Sequence, residues 1–235
     1  MLLYVIRHGD PCYDPDSLTP LGQRQAEAVG RRLAQVGITR VYSSPLVRAQ
    51  QTAQPLCELL RLQPTIEDWT SESHAWKHFT QTYNGRQNWT FWQPNTKLRS
   101  PQNRKLDDQH FDQCDCYADL NLKQAYQYLI QGSDDFLKRH GYQREDGVYR
   151  ILQPNDERIA LFCHEGFSMH WFPFLLAIPP HLFWASFAIT HTGVSVFQFE
   201  NTDDGYTAPR ALCIDDTSHL LAEHLPNSFQ RKFLY

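Results

Sequence analysis

Two histidines and two arginines each follow a short apolar stretch of the chain. Arg7 and His8 directly follow the first such stretch, near the start of the sequence. Arg48 lies shortly after the second, and His164 directly follows another, much later in the chain. A guanidinium presents a planar set of donors that fits phosphate oxygens, and an imidazole can act as a nucleophile. These residue types indicate a site that binds a phosphoryl group and carries out chemistry on it.

The apolar stretches predict strands, and the segments between them predict helices. Residues 2–6, 39–42 and 159–163 have the length and composition of buried strands. Between the first two, Thr19 is a suitable N-cap with Pro20 at the first helical position, and Gly37 is a suitable stop. Alternating strands and helices of this kind predict a parallel sheet. Ligands bind at the carboxyl ends of such strands, so the two histidines are expected to meet there.

Later segments continue the same pattern. The helix that follows Arg48's strand contains Pro55, which predicts a kink or a break. A longer helix is expected to end at Gly141, and another covers residues 167–177. Residues 193–200 alternate between apolar and polar side chains, and this period-2 pattern predicts a further strand, as does the segment at 210–215.

Composition and charge narrow the classes of function. The chain has 235 residues, of which 41% are hydrophobic and 20% charged, and its formal net charge is −4. Such a balance is typical of a globular protein without a basic surface for nucleic acid or anionic membranes. The sequence has no apolar run long enough to span a membrane and no secretory signal pattern, so a cytoplasmic protein is expected. We predict a single domain over residues 1–235.

The six cysteines form no disulfide framework, and a chain of this size does not need one. Cys114 and Cys116 lie close to His110, which raises the question of a zinc site. A C-x-C pair with one nearby histidine is weak evidence for zinc, and solvated loop residues are the favoured interpretation. The sequence therefore predicts no metal.

Residues 68–118 differ from the rest of the chain. They are polar, rich in Gln and Asn, and without clean periodicity. Because the segment is too long for an ordinary loop, we predict an insertion that folds over the site as a cap or lid. Its aromatic residues form either a wall for the substrate or, as the favoured interpretation, a small core of the insertion. These aromatic residues are Trp76, Phe79, Tyr83, Trp89, Phe91 and Trp92.

Several motifs together resemble the histidine phosphatase superfamily, whose fold is called phosphoglycerate mutase-like. The resemblance spans nearly the whole chain except the insertion, and its motifs occur in the expected order at the expected junctions. The motifs are RHGD, LTPLGQRQA, YSSPLVRAQQTA, FCHEG and IDDTSHL. The resemblance implies a three-layer α/β/α fold with a mostly parallel central sheet. It also implies no cofactor and no metal, because the protein's own cations hold the phosphate.

The resemblance assigns roles to most of the residues already singled out. His8 is implied as the nucleophile that forms a phosphohistidine. Arg7, Arg48 and His164 are implied as ligands of the phosphoryl group, and the backbone N–H of Glu165 is also available to it. The family has Gly at the position of Glu165 in many members, so the side chain of this glutamate is free to face the substrate.

The general acid that protonates the leaving group is less clearly marked. The family pattern favours Glu67, and Asp68 and Glu72 lie in the same segment. Glu165 is the runner-up. The tryptophan-glutamate-glycine run that usually follows is missing here.

Two further residues are predicted to line the substrate pocket. Asp14 stands where mutase-like members often have an asparagine, and it is expected either to point outward or to contact a cationic part of the substrate. His191 precedes a predicted strand and is a candidate for the pocket wall.

We therefore expect a phosphatase that hydrolyses phosphomonoesters of small metabolites. The alternatives are a phosphoglycerate-type mutase on the same scaffold and a phospho-ligand binding module without turnover. The expected partner is a small phosphorylated substrate, with neither nucleic acid nor membrane involved. The sequence leaves the oligomeric state open, with a homodimer among the alternatives.

Overall fold

The computed structural model describes residues 1–83, 85–117 and 120–227, within which the chain forms thirteen strands and eight helices. The strands are β1 (Leu2–Arg7), β2 (Pro11–Tyr13), β3 (Asp16–Leu18), β4 (Arg40–Ser43), β5 (Thr65–Ile66), β6 (Thr80–Tyr83), β7 (Arg86–Trp89), β8 (Tyr142–Glu145), β9 (Val148–Ile151), β10 (Arg158–Cys163), β11 (Val194–Gln198), β12 (Tyr206–Thr207) and β13 (Arg210–Asp216). The helices are α1 (Pro20–Ala34), α2 (Val47–Leu60), α3 (Glu72–His78), α4 (Asn95–Leu98), α5 (Leu122–Arg139), α6 (Glu165–Leu175), α7 (Pro180–Trp184) and α8 (Ser218–Ala222).

A six-stranded sheet forms the centre of the fold, in the order β13-β11-β1-β10-β4-β5. The four strands β1, β10, β4 and β5 are parallel, and at the other edge β11 pairs antiparallel with both β1 and β13. The predicted α/β fold with a mostly parallel sheet is confirmed. The antiparallel edge was not predicted, because a strand's period-2 pattern carries no information about its direction.

Side chains of β1 alternate between the two faces of the sheet, as strand geometry requires. Leu3 and Val5 belong to the larger hydrophobic cluster, which includes apolar residues of α5 and α6. Ile6 belongs to the other cluster, with Val29 of α1 and Leu56 of α2. Helices therefore cover both faces of the sheet, which gives three layers.

Strand register brings the ends of β1 and β10 side by side. Arg7 pairs with Cys163 across the two strands, and Phe162 pairs with Ser43 of β4. His8 and His164 therefore leave adjacent parallel strands at the same level. The expectation that the two histidines meet at one sheet edge is confirmed by this register.

Helix α2 passes through Pro55 without a break, so the break, one of the two predicted alternatives, is wrong. The proline removes one backbone donor, but tight packing against α1 holds the helix together. A Cβ atom added to Gly30 of α1 would lie 3.0 Å from the Pro55 Cβ. The two helices thus pack closely at this point.

Within residues 68–118, the described part of the chain contains only short elements. These elements include helix α3, the hairpin β6–β7 and helix α4. One 3-10 turn precedes α3, and another lies between β7 and α4. Phe79, Trp89 and Phe91 are buried in the main hydrophobic cluster, which supports the core interpretation, whereas Trp76 and Trp92 are 41% and 50% exposed. The side chain of Tyr83 lies outside the described residues. That the segment is a cap, and that the chain is one domain, remain predictions.

One small sheet was missed by the sequence analysis. Strands β8, β9 and β12 form an antiparallel sheet of their own. These strands are short and polar, so they lack the apolar pattern on which the prediction of strands depends. Among the described residues, no helix has both the length and the apolar character that crossing a membrane requires.

Candidate active site

His8 lies just beyond β1 and is almost fully buried, at 1% exposure. Its ring Nδ1 is 2.7 Å from the carbonyl oxygen of Gly9, which can only accept a hydrogen bond. Nδ1 therefore carries the hydrogen, and Nε2 keeps its lone pair. Burial lowers the pKa of His8 well below its usual value, and the nearby His164 ring and Arg7 guanidinium act in the same direction. The ring is thus neutral at pH 7, with a nucleophilic nitrogen at Nε2.

Two glycines set the path of the chain after His8. A Cβ atom at Gly9 would lie 2.6 Å from the Gly22 carbonyl oxygen, and one at Gly22 would lie 2.2 Å from the Asp10 carbonyl oxygen. Only glycine allows this approach of the loop to the first turn of α1. Thr19 caps that helix as predicted, since its hydroxyl accepts from Gly22 N–H at 3.1 Å.

His164 lies at the end of β10 and is fully buried. Its Nε2 is 2.7 Å from the Ser44 hydroxyl, whose oxygen also accepts from Leu46 N–H. We assign the Ser44 hydroxyl as the donor to Nε2, which leaves the hydrogen on Nδ1. Burial lowers the pKa of His164 well below its usual value, and Arg48 and Arg7 act in the same direction. His164 is therefore a neutral donor towards the site.

Arg7 and Arg48 both have carboxylate partners. Arg7 Nη1 lies 2.9 Å from Glu165 Oε2 and donates to the Ile189 carbonyl at 2.6 Å. Arg48 is 7% exposed and donates to Asp16 at 2.7 Å. Each guanidinium still has further donors. These contacts hold the two forks in place.

Three buried nitrogens around the site have no hydrogen-bond partner among the described residues. They are Arg7 Nε, Arg48 Nε and His164 Nδ1. Buried donors are rarely left unpaired in folded proteins. All three belong to residues predicted to hold a phosphoryl group, and its equatorial oxygens are acceptors that fit them.

Glu72, the first residue of α3, is the carboxylate that reaches both histidines. A ring nitrogen of His8, a ring nitrogen of His164 and a carboxylate oxygen of Glu72 all lie within 4.8 Å of one another. Glu72 Oε2 accepts from Arg48 Nη2 at 2.8 Å, and Oε1 accepts from Gly166 N–H at 3.0 Å. Two imidazoles and a carboxylate are also donors that bind transition metals. In this arrangement the carboxylate lies beside the nucleophile, within reach of a proton transfer there.

Glu67, the favoured candidate for the general acid, is placed differently. Its carboxylate accepts from Arg139 at 2.8 Å and from the Trp69 indole N–H at 2.9 Å. Both oxygens are therefore engaged in a contact that ties the start of the segment to α5. This geometry does not support the choice of Glu67 over Glu72. A 3-10 turn follows Glu67, and Ser71 ends that turn and caps α3, whose first residue, Glu72, faces the site.

The two predicted pocket residues have different positions. His191 lies beside the nucleophile, with ring centroids 5.6 Å apart, and its Nδ1 is 3.6 Å from Asp10 Oδ1. Asp14 is exposed at the tip of the hairpin β2–β3. Asp16, two residues later, contacts Arg48. Sequence analysis missed Asp16 because nothing in the sequence indicates which of the hairpin's carboxylates, Asp14 or Asp16, faces Arg48.

Residues behind the site hold its backbone. Thr192 N–H donates to the Arg7 carbonyl at 3.0 Å, and its hydroxyl contacts His219 Nε2 at 3.0 Å. Asp215 accepts from Thr190 N–H at 2.7 Å, and burial raises the pKa of Asp215 to about 6. Both His219 and Asp215 belong to the C-terminal motif IDDTSHL, which therefore supports the loop that carries His191.

The candidate zinc ligands do not come together. His110 is exposed and bonded to Asp107, whereas Cys114 and Cys116 are buried. Ligand atoms of these cysteines and of Asp115 do lie within 4.8 Å of one another. The expectation of solvated cysteines is wrong, because their side chains pack into the main hydrophobic cluster.

Comparison with known proteins accounts for this arrangement. Residues 3–109 match the sequence profile of the histidine phosphatase superfamily, branch 1. This match covers less than half of the chain and shows a similarity to that superfamily. The match includes Arg7, His8, Arg48 and Glu72 and ends before the second histidine.

Curated relatives of this chain match over short stretches. The fructose-2,6-bisphosphatase TIGAR of Xenopus tropicalis is 36% identical over 75 residues, which is 28% of this chain and 27% of that protein. A PE-PGRS family protein of Mycobacterium tuberculosis is 37% identical over 86 residues, which is 32% of this chain and 15% of that protein. The matched region thus spans about a quarter or less of these relatives.

Solved structures match over almost the whole chain. Phosphoserine phosphatase from Entamoeba histolytica, in complex with 3-phosphoglyceric acid, has a TM-score of 0.60 at 20% identity, covering 93% of this chain and 98% of that chain. The alpha-ribazole phosphatase of Shigella flexneri has a TM-score of 0.58 at 17% identity, covering 92% and 96%. These likenesses show the fold, and the proteins that share it are phosphatases.

Proposed function

We propose that this protein hydrolyses phosphomonoesters of small molecules through a phosphohistidine on His8. The observation that carries the proposal is the hydrogen bond from His8 Nδ1 to the Gly9 carbonyl, at 2.7 Å. It fixes the tautomer in which Nε2 has a free lone pair, within reach of Glu72 and His164. A buried, neutral and oriented imidazole is what nucleophilic attack on phosphorus requires.

In the first step, His8 Nε2 attacks phosphorus and the bond to the ester oxygen breaks. Negative charge on the three equatorial oxygens is stabilised by Arg7, Arg48 and the Nδ1–H of His164. Donors fixed in advance cost little reorganisation when the charge develops. The alcohol leaves as an alkoxide unless it receives a proton.

Glu72 is the proposed source of that proton. Its carboxylate lies beside the nucleophile, and a bound phosphate dianion repels its negative charge and so favours its protonated form. In the second step, Glu72 takes a proton from a water molecule as the water oxygen attacks the phosphorus of the phosphohistidine. The bond from phosphorus to His8 Nε2 breaks, which releases inorganic phosphate and restores His8. Binding of the dianion thus prepares the acid for the first step.

The test is the release of inorganic phosphate from 4-nitrophenyl phosphate and from a panel of small alkyl and sugar phosphates. The wild-type chain is expected to release phosphate without an acceptor, and His8→Ala to lower kcat/KM by about four orders of magnitude or more. Turnover retained by His8→Ala would refute the mechanism. Conversion of 3-phosphoglycerate to 2-phosphoglycerate without phosphate release would identify a mutase instead.

A further inference from the structure

Carboxylates outnumber guanidiniums around the proposed phosphoryl site. Arg48 contacts Asp16 and Glu72, at 2.7 and 2.8 Å, and Arg7 contacts Glu165 at 2.9 Å. His8 and His164 add no positive charge, because burial keeps them neutral. Two cations and three carboxylates leave the site negative before any phosphate arrives.

A phosphate dianion adds to this negative charge in a site that is largely shielded from water. The Arg48 side chain is 8% exposed, and those of Glu72 and Glu165 are both 15% exposed. Like charges repel strongly at such low exposure. Protonation of Glu72 as the general acid removes one of the negative charges, but the balance stays negative. A substrate that carries its own positive charge would correct it.

The mouth of the site has the groups that recognise an organic cation. Tyr13 is 67% exposed, and the Arg48 guanidinium lies over its ring, with the guanidinium carbon 5.3 Å from the ring centroid, which places the ring at the edge of the site. Asp14 is exposed next to it on the same hairpin. Glu165 directly follows His164 and therefore borders the site at the first turn of α6. An aromatic face with carboxylates nearby binds ammonium groups, primary or quaternary.

Resting on the phosphatase function proposed above, we infer that the substrate is the phosphomonoester of an amino alcohol, with its ammonium group held by Glu165 and the Tyr13–Asp14 hairpin tip. The phosphoryl group occupies Arg7, Arg48 and His164, and the short alcohol places its cation within reach of Glu165. Glu165 is then a specificity-determining residue. A glutamate in the first turn of a helix also stabilises the helix dipole, and that structural role alone would leave substrate preference unchanged.

The experiment compares substrates of nearly equal shape that differ in charge. Ethanolamine phosphate is paired with propyl phosphate, and choline phosphate is paired with 3,3-dimethylbutyl phosphate. We expect kcat/KM to favour the cationic member by about tenfold or more in at least one pair. The pair with the larger ratio distinguishes a primary from a quaternary ammonium. 4-Nitrophenyl phosphate reports whether the proposed phosphatase activity exists at all.

Two variants locate the preference. Glu165→Gln is expected to bring the ratio of kcat/KM values close to one. Glu27→Gln removes the same charge from an exposed position of α1 and is expected to leave the ratio unchanged. Tyr13→Leu changes an exposed side chain and is expected to lower the ratio most for the choline pair, which keeps the inference testable if Glu165→Gln does not fold.

The outcomes separate this inference from the function on which it rests. Equal kcat/KM values within both pairs, with His8-dependent hydrolysis of 4-nitrophenyl phosphate, would overturn the inference and leave the phosphatase intact. A cationic preference that survives both Glu165→Gln and Tyr13→Leu would overturn it as well. Failure to hydrolyse any of the five substrates would overturn the proposed function, and the inference with it.

Discussion

The edge of the central sheet and the segment at residues 68–118 supply the site in different ways. At the sheet edge, His8 and His164 are placed by backbone pairing, since Arg7 is in register with Cys163. Glu72 comes from the segment, where its position depends on a short helix and on two hydrogen bonds, from Arg48 and from Gly166 N–H. The nucleophilic half is therefore fixed by the core of the fold. The acid half depends on how a less regular segment packs against it.

The largest difference in activity is expected between variants of Glu72 and of Glu67, which lie five residues apart. We expect Glu72→Gln to lower kcat/KM for alkyl phosphates by about 10²- to 10³-fold, because the leaving alkoxide loses its acid. The loss with 4-nitrophenyl phosphate is expected to be much smaller, because nitrophenolate leaves without a proton. Steady-state phosphate release measures both.

Glu67→Gln is the matched control. It weakens the contact with half-exposed Arg139, so we expect a cost of about 1 kcal/mol in the free energy of unfolding and near-normal kcat. Large loss of activity in Glu67→Gln, with Glu72→Gln active on alkyl phosphates, would reverse the two assignments.

The second prediction concerns Arg48, which links the two regions. Lysine keeps the charge but cannot contact Asp16, Glu72 and phosphate oxygens with one planar fork. We expect Arg48→Lys to lower kcat/KM by about 10- to 100-fold, by analogy with the loss of a single fixed donor. Arg139→Lys makes the same change outside the site and is expected to keep wild-type kinetics. Equal kinetics for the two variants would contradict the role of Arg48.

A third variant tests how the segment is held on α6. A Cβ atom at Gly166 would lie 2.3 Å from the Trp89 ring, which is buried between Trp76 and Phe91. We expect Gly166→Ala to lower the free energy of unfolding by about 1–3 kcal/mol through overpacking. Thermal melting measures this, and a second change, Trp89→Phe, is expected to recover part of the loss. Full stability of the single variant would show that the segment tolerates a different position.

These two regions also explain what sequence reasoning can reach. Arg7, His8 and His164 follow strands with strong apolar patterns, and pairing of such strands brings their ends together. Glu67 and Glu72 are similar candidates for the acid, and both lie where the sequence shows no clean periodicity. Tertiary contacts decide between them there. The family pattern favoured the residue that turned out to bind Arg139.

The hairpin after His8 gives the same lesson on a smaller scale. Counting residues from the nucleophile singled out Asp14, with pointing outward as one alternative, and the hairpin pairs Tyr13 with Asp16 and leaves Asp14 at its exposed tip. Which side chain of a hairpin turns towards Arg48 depends on its register. The sequence does not specify that register by any apolar alternation.

A smaller effect is expected of pH on the free energy of unfolding. It acts through His219, which contacts Thr192 behind the edge of the sheet. Burial lowers the pKa of His219 to about 4, so the folded protein does not bind the proton that the unfolded chain takes up near pH 6.5. Stability therefore falls as pH decreases through 6.5 towards 4. We expect His219→Asn to reduce the slope of the free energy of unfolding by up to about 1.4 kcal/mol per pH unit.

Denaturant unfolding at a series of pH values measures this slope. His224→Asn, at an exposed position, is the control and is expected to leave the slope unchanged. An unchanged slope in His219→Asn would contradict the assigned state of His219.

The measurement that tests the account most directly is trapping of the phosphoryl group during turnover. The chain is mixed with a phosphomonoester, quenched in alkali, which preserves phosphohistidine, and digested for mass spectrometry. We predict one phosphoryl group on His8, absent from His8→Ala and more abundant in Glu72→Gln when 4-nitrophenyl phosphate is the substrate. A phosphoryl group on another residue, or rapid turnover with His8 unmodified at every quench time, would contradict the account.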